Sequence, residues 1–233
     1  MSGKSNFSLS FNSLMTNRAE ATELSESRYN LLIGLLLVWG FGLNYAITKL
    51  LQNAILSIML SSNTYIGFVI AYFILVIAGS NMVRSDKPAK CFLGYNLIAL
   101  PIGVLLAMTT AFYDPALITR AALCTAIVTL VMLIAATAFP SFFKNIGGGL
   151  SVSLLAVILV EGLGSLFFRG VFTVMDWVVV GIMCLYIGYD WTRANTVQPT
   201  VTNAIAAASA LYLDIVNIFL RLLRILGRSR ERN

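Results

Sequence analysis

The sequence has no histidine, and only 11% of its 233 residues are charged. The absence of histidine excludes imidazole metal ligands, imidazole bases and imidazole pH sensors, so proton-linked behaviour must come from carboxylates. Soluble domains carry about 25% charged residues, and a chain of this size with so few lacks the polar groups to cover its surface. The composition therefore argues against soluble enzymes, disordered chains and secreted scaffolds.

Cysteine is also scarce. Cys91, Cys124 and Cys184 have neither the spacing of metal ligands nor that of a disulfide framework. We interpret all three as small buried hydrophobic residues, and we expect no cofactor.

Hydrophobic residues are abundant, at 58% of the chain with a mean hydropathy of +0.85. A helix needs about 20 apolar residues to cross roughly 30 Å of hydrocarbon. Six runs meet that length: 30–47, 65–83, 91–112, 121–139, 150–168 and 170–189. Because the runs are continuously apolar and do not alternate, barrel strands are not predicted. We therefore predict a multi-pass helical protein of the lipid bilayer.

A seventh segment, 200–226, is richer in small and polar residues. Its polar and small positions recur at helical spacing and form one stripe: Asn203, Ala210, Asp214, Asn217, Arg221 and Arg224. Such a stripe at membrane depth should face protein or water, with Asn217 and Arg221 making polar contacts along it. The predicted fold class is all-α, with seven transmembrane helices and the last one central, enclosed by the other six.

Polar segments flank the predicted membrane domain, 29–227: an N-terminal tail, 1–28, and a basic C-terminal tail, 228–233. The net charge of +6 is clustered at the ends of apolar runs, which is typical of cytoplasmic loops near anionic lipid and not of nucleic-acid binding. Charge counting places the C-terminus in the cytoplasm, whereas seven crossings place it on the other side, so the sequence leaves this open. Because signal and retrieval motifs are absent, we expect a bacterial plasma membrane.

Four carboxylates fall within or beside apolar runs: Glu161, Asp176, Asp190 and Asp214. An ionised carboxylate near the middle of a bilayer costs several kcal/mol, so each needs a physical reason. Asp176 is close to the predicted loop at Arg169, and we expect it at the membrane interface. Glu161 lies within its run, and both a functional and a structural role stay open for it.

Asp190 and Asp214 are 24 positions apart, and their midpoint, Thr202, lies at the polar stretch that must contain a turn. Two antiparallel helices joined there would bring both carboxyl groups to a similar depth, about 18 Å from the turn. Two buried carboxylates in contact cannot both stay ionised cheaply, so the pair would share a proton. Raising the pH or offering a cation would separate the pair or fill the gap.

Paired carboxylates with carbonyl and water oxygens suit Ca²⁺, which makes a proton-controlled cation gate one interpretation of the pair. In the other interpretation each aspartate is structural, and Arg193, close to Asp190, is the nearest partner.

Two stretches carry a family resemblance. Residues 209–227 read SALYLDIVNIFLRLLRILG, and residues 185–190 read LYIGYD. The first resembles the C-terminal signature of the Bax inhibitor-1 (transmembrane Bax-inhibitor-motif) family, and the second is similar to its sixth-helix motif. The interval between Asp190 and Asp214 is also similar to that between the two aspartates of the family.

The resemblance implies seven membrane helices and a pH-sensitive calcium leak, with Asp190 and Asp214 as pH sensor and calcium ligands. Arg84 is similar in placement to an arginine that pairs with the sixth-helix aspartate, which implies a gating salt bridge. The stretch 161–164 departs from the asparagine-containing stretch of relatives, so Glu161 is a candidate for an additional pore carboxylate.

Two other functions are considered. A non-conducting membrane regulator could bind a protease or a cell-death protein, as relatives are reported to do. An intramembrane aspartyl protease is less well supported: Tyr189 precedes Asp190 as in such enzymes, but no glycine motif precedes Asp214 and the Pro115-Ala-Leu117 tripeptide comes too early. We therefore expect a protein that is not an enzyme.

Overall fold

The computed structural model describes residues 23–59, 62–167 and 172–231, apart from the side chains of 59, 62–63, 158, 161–167, 172–173 and 229–231. Within these ranges the chain forms seven α-helices and no strand. They are α1 (Glu26–Met59), α2 (Ser62–Val83), α3 (Pro88–Thr110), α4 (Pro115–Ala138), α5 (Pro140–Phe167), α6 (Phe172–Ala194) and α7 (Val201–Glu231). Most of the polar N-terminal tail and the loop at Arg169 lie outside the described residues.

Proline marks the start of three helices, because Pro88, Pro115 and Pro140 are the first residues of α3, α4 and α5. A proline at this position has a backbone φ suited to the helix and lacks only an N–H group that would have no helical partner. The carboxylate of Asp114 also caps α4 by accepting the Ala116 N–H at 2.8 Å. These local signals explain why the predicted breaks lie close to the observed ones.

Most helices extend further than hydropathy predicts, and α5 begins at Pro140, ten residues before its predicted run at 150–168. The 34 residues of α1 span about 51 Å, well beyond the predicted end at residue 47, and Gln52 holds the extension against α3 by donating to the Ala107 carbonyl at 2.9 Å. The last helix continues to Glu231, so Arg228, assigned above to a tail, is helical. The prediction that all three cysteines are buried was wrong for Cys124, which is exposed on α4.

Six helices, α1 to α4 with α6 and α7, are long and apolar enough to cross a membrane. The prediction of an all-helical, multi-pass integral membrane protein is thus confirmed. The remaining helix, α5, includes residues 161–167, whose side chains the structure does not describe.

Helix α7 is the most deeply packed of these six. It contacts α6, α1, α4, α3 and, over a shorter stretch, α2. In its most apolar part 67% of residues are buried, against 11% in α2. Small residues at its start, such as Ala204 and Ala207, are fully buried, because they let neighbouring backbones approach closely.

The described chain starts and finishes at opposite ends of the helix bundle. The start of α7 lies beside the start of α1, where the Leu24 N–H donates to the Pro199 carbonyl at 2.7 Å. Near the other end of α7, Gly227 packs against the ring of Tyr113, between α3 and α4.

Candidate functional site

Asp190 and Asp214 come together on neighbouring helices. Asp190 lies one turn before the end of α6, and Asp214 lies thirteen residues after the first residue of α7. Each residue is 8% exposed, and the two carboxyl groups lie on the wall of one cavity, close enough to interact. The structure therefore has a buried aspartate pair.

The geometry that joins them is not a symmetric turn. Asp190 is about 6 Å along α6 from its end, whereas Asp214 is about 20 Å along α7 from its start, at 1.5 Å per residue. The six-residue connection, 195–200, starts with a turn at 195–196 and joins the two helices across this difference. Asn203 anchors this connection by donating from Nδ2 to the Gln198 carbonyl at 2.9 Å.

Both aspartates line a cavity of about 470 Å³ between α2, α3, α5, α6 and α7. Oxygen-bearing side chains surround them on its wall: Tyr72, Ser80, Ser151, Tyr186, Tyr189, Ser209 and Asn217. Two cations, Arg193 and Arg221, line the same space. The rest of the cavity wall is apolar, so these polar groups are set into a mostly apolar surface.

The two carboxyl groups are not equivalent. The positive charge of Arg193, one turn further along α6, acts on the Asp190 carboxyl. Asp214 has one buried oxygen, Oδ2, without any hydrogen-bond partner. An unpartnered buried oxygen of this kind costs about 1–3 kcal/mol, and a proton or a cation is the type of ligand that would offset this cost.

The other predicted site residues do not all line this cavity. Arg84 is exposed at the end of α2, so its pairing with Asp190 stays a prediction. Glu161 belongs to α5, but its side chain lies outside the described residues. Asn217 lines the cavity and donates from Nδ2 to the Leu213 carbonyl at 2.9 Å. Arg221 lines the cavity and also binds Asp176.

Asp176 is the centre of an ion-pair cluster that the sequence did not predict. Its side chain is 0% exposed and accepts from the Nη1 atoms of Arg221 at 2.9 Å, Arg224 at 3.0 Å and Arg228 at 2.8 Å. The sequence predicts that Asp176 lies near the membrane interface, where charged side chains are common. That prediction does not account for the complete burial of its side chain. The signal lay in the arginine spacing of three and four residues, which puts the three guanidinium groups on one face of α7.

The fold and the site together define a class: a polytopic helical membrane protein with a pair of aspartates buried between α6 and α7. A family model described as "Inhibitor of apoptosis-promoting Bax1" matches residues 24–231. The chain therefore belongs to this Bax inhibitor family, as the motifs at residues 185–190 and 209–227 predicted. No curated protein and no solved structure gives a significant match.

Proposed function

We propose that the protein is a pH-sensitive calcium leak, in which a proton shared by Asp190 and Asp214 controls the passage of the ion. In this proposal all seven helices cross the membrane, and α7 forms the centre of the bundle. The observation that carries the proposal is that the two buried carboxyl groups lie close together on the wall of one cavity between the helices.

A hydrogen bond between two carboxyl groups requires a proton on one of them. The bonded pair therefore corresponds to the closed state in this proposal. When the proton leaves, two negative charges face each other at close range, and mutual repulsion favours separation of α6 and α7 at this level. The separated pair then attracts a divalent cation.

Calcium suits this cavity because it takes six to eight oxygen ligands in flexible geometry. The two aspartates supply up to four carboxylate oxygens, and hydroxyl and amide oxygens stand nearby on Ser209 and Asn217. The unpartnered Oδ2 of Asp214 is the first ligand in this scheme.

The described charged groups that face the pair are Arg193 from α6 and Arg221 from α7, and the described ionisable hydroxyls are those of Tyr72, Tyr186 and Tyr189. Arg221 is already bound to Asp176, which leaves Arg193 as the cation that acts on the pair. One guanidinium group balances one of the two carboxylate charges. In this proposal a proton or a metal ion balances the other.

Calcium flux into liposomes containing the purified protein tests the proposal across acid to alkaline pH. We expect wild-type flux to rise with pH by up to about tenfold per pH unit, the limit for release of one proton. Asp190→Asn and Asp214→Asn should each abolish this pH dependence, because an amide donates to the remaining carboxylate without releasing a proton.

Glu26→Gln is the matched control, since it removes an exposed carboxylate in the first turn of α1 and should leave the pH profile unchanged. An unchanged pH profile in both aspartate variants would contradict the gating role of the pair. Absence of flux from folded wild-type protein at every pH would instead favour the non-conducting regulator.

A further inference from the structure

A second cavity, of about 930 Å³, lies where α3 ends and α4 begins. Apolar and aromatic side chains of three helices form one part of its wall: Tyr65 of α2, Leu105 and Met108 of α3, and Leu117 of α4. Arg224 and Arg228 of α7 form another part. The cavity is therefore amphipathic, with an apolar wall beside a cationic one.

Ion pairs to Asp176 hold the two guanidinium groups of the cationic wall. Arg224 and Arg228 each bind the buried Asp176 through Nη1, yet their side chains remain 41% and 32% exposed. A guanidinium group has five N–H donors, and the bond from Arg224 to Asp176 is made by Nη1 alone. Asp176 thus holds both groups in position on the cavity wall while each stays partly exposed.

The described charges leave a positive excess at this end of the bundle. Three guanidinium groups surround Asp176, and the acid on the cavity wall is Asp114, which also caps α4. Three guanidinium groups and two carboxylates give these five described groups a formal charge of +1. A monoanion is the complementary ligand.

We propose that this cavity binds the phosphate group of an anionic phospholipid, with Arg224 and Arg228 on the phosphate and the acyl chain against the apolar wall. Arginine binds phosphate oxygens through paired N–H groups, and basic pockets between membrane helices suit anionic head groups. The ends of α3 and the start of α4 lie where a span meets the head-group region. Free phosphate shares the charge chemistry but would leave the apolar wall uncovered, which favours the lipid.

Native mass spectrometry of the detergent-purified protein, titrated with phosphatidylglycerol, phosphatidylcholine or inorganic phosphate, tests this site. We expect one phosphatidylglycerol molecule to be retained per chain, with weaker retention of the zwitterionic lipid. Arg224→Gln should weaken phosphatidylglycerol binding about tenfold, because it removes one charge-assisted contact.

Leu117→Trp is a second variant, which fills the apolar wall and leaves the arginine cluster intact, so it should also weaken lipid binding in a folded protein. Arg120→Gln is the matched control, since Arg120 is an exposed cation of α4 outside the cavity wall. Equal loss of binding in Arg120→Gln, or wild-type binding in both Arg224→Gln and Leu117→Trp, would overturn the proposal. Equally tight binding of inorganic phosphate would overturn the assignment to a lipid.

Discussion

The three buried aspartates among the described residues have two different kinds of partner. Asp176 is surrounded by three guanidinium groups, so its charge is more than balanced and its role is to hold α6 and the end of α7 together. Asp190 and Asp214 instead face each other, and the positive charge acting on Asp190 comes from Arg193. The first arrangement joins opposite charges, whereas the second brings two acidic groups together.

Replacement of Asp176 by asparagine should destabilise the fold. Three guanidinium groups would lose their counter-charge, and breaking a buried ion pair costs about 3–5 kcal/mol. Because Arg224 and Arg228 are partly exposed, solvent screening reduces this cost, and we expect about 2–3 kcal/mol.

Equilibrium unfolding in detergent micelles measures this loss for Asp176→Asn. Asp86→Asn is the control, since it changes an exposed carboxylate between α2 and α3 and should shift the free energy of unfolding by less than about 0.5 kcal/mol. A loss equally small in Asp176→Asn would mean that the arginine cluster contributes little to stability.

At the scale of helices, close packing depends on glycine at particular crossings. A Cβ atom built on Gly79 of α2 would lie 2.7 Å from the carbonyl oxygen of Gly94 in α3, and one built on Gly94 would lie 2.7 Å from the oxygen of Gly79. Backbone atoms cannot rotate away as a side chain can. The two helices can therefore approach this closely only with glycine at both positions.

Gly79→Ala should lower the free energy of unfolding by about 1–3 kcal/mol, the usual cost of overpacking. Gly67→Ala in the same helix is the matched control, because no atom lies within 4 Å of its added Cβ. Alanine there should be neutral or slightly stabilising, since it favours the helix by up to about 1 kcal/mol over glycine. Equal thermal stability of the two variants would show that the α2–α3 contact is looser than described.

At the scale of the whole molecule, the positions of the helix ends bear on which side of the membrane the C-terminus occupies. The charge count and the count of seven crossings give opposite answers to this question. Three of the C-terminal arginines that a charge count treats as loop charges point inward onto Asp176. Their charge is partly neutralised, so they contribute less to orientation than exposed cations do. Together with the opposite positions of the two chain ends, this favours termini on opposite sides of the membrane.

Labelling of single introduced cysteines with a membrane-impermeant maleimide checks this orientation. Ser25→Cys and Ser85→Cys, at the start of α1 and after α2, should react from one side. Phe112→Cys and Glu231→Cys, after α3 and at the end of α7, should react from the other. Reaction of positions 25 and 231 from the same side would contradict the described path of α7.

The sequence by itself determined the membrane class, the helical segments and the family, and it indicated Asp190 and Asp214 as a candidate pair. Hydropathy, proline position and motif spacing are properties of neighbouring residues along the chain, so they can be read without coordinates. The 24-residue interval predicted that Asp190 and Asp214 lie at similar depth, although the two residues are at unequal distances from the connection at residues 195–200.

Only the tertiary structure decided which charges meet. Asp176 and its arginines are 45 to 52 residues apart, and no local pattern pairs them. The two cavities likewise depend on side chains from several helices, whose neighbours are set by packing across the bundle. Packing depends on shape complementarity between segments distant in sequence, and this is the reason that the charge partners could not be assigned before the helices were placed.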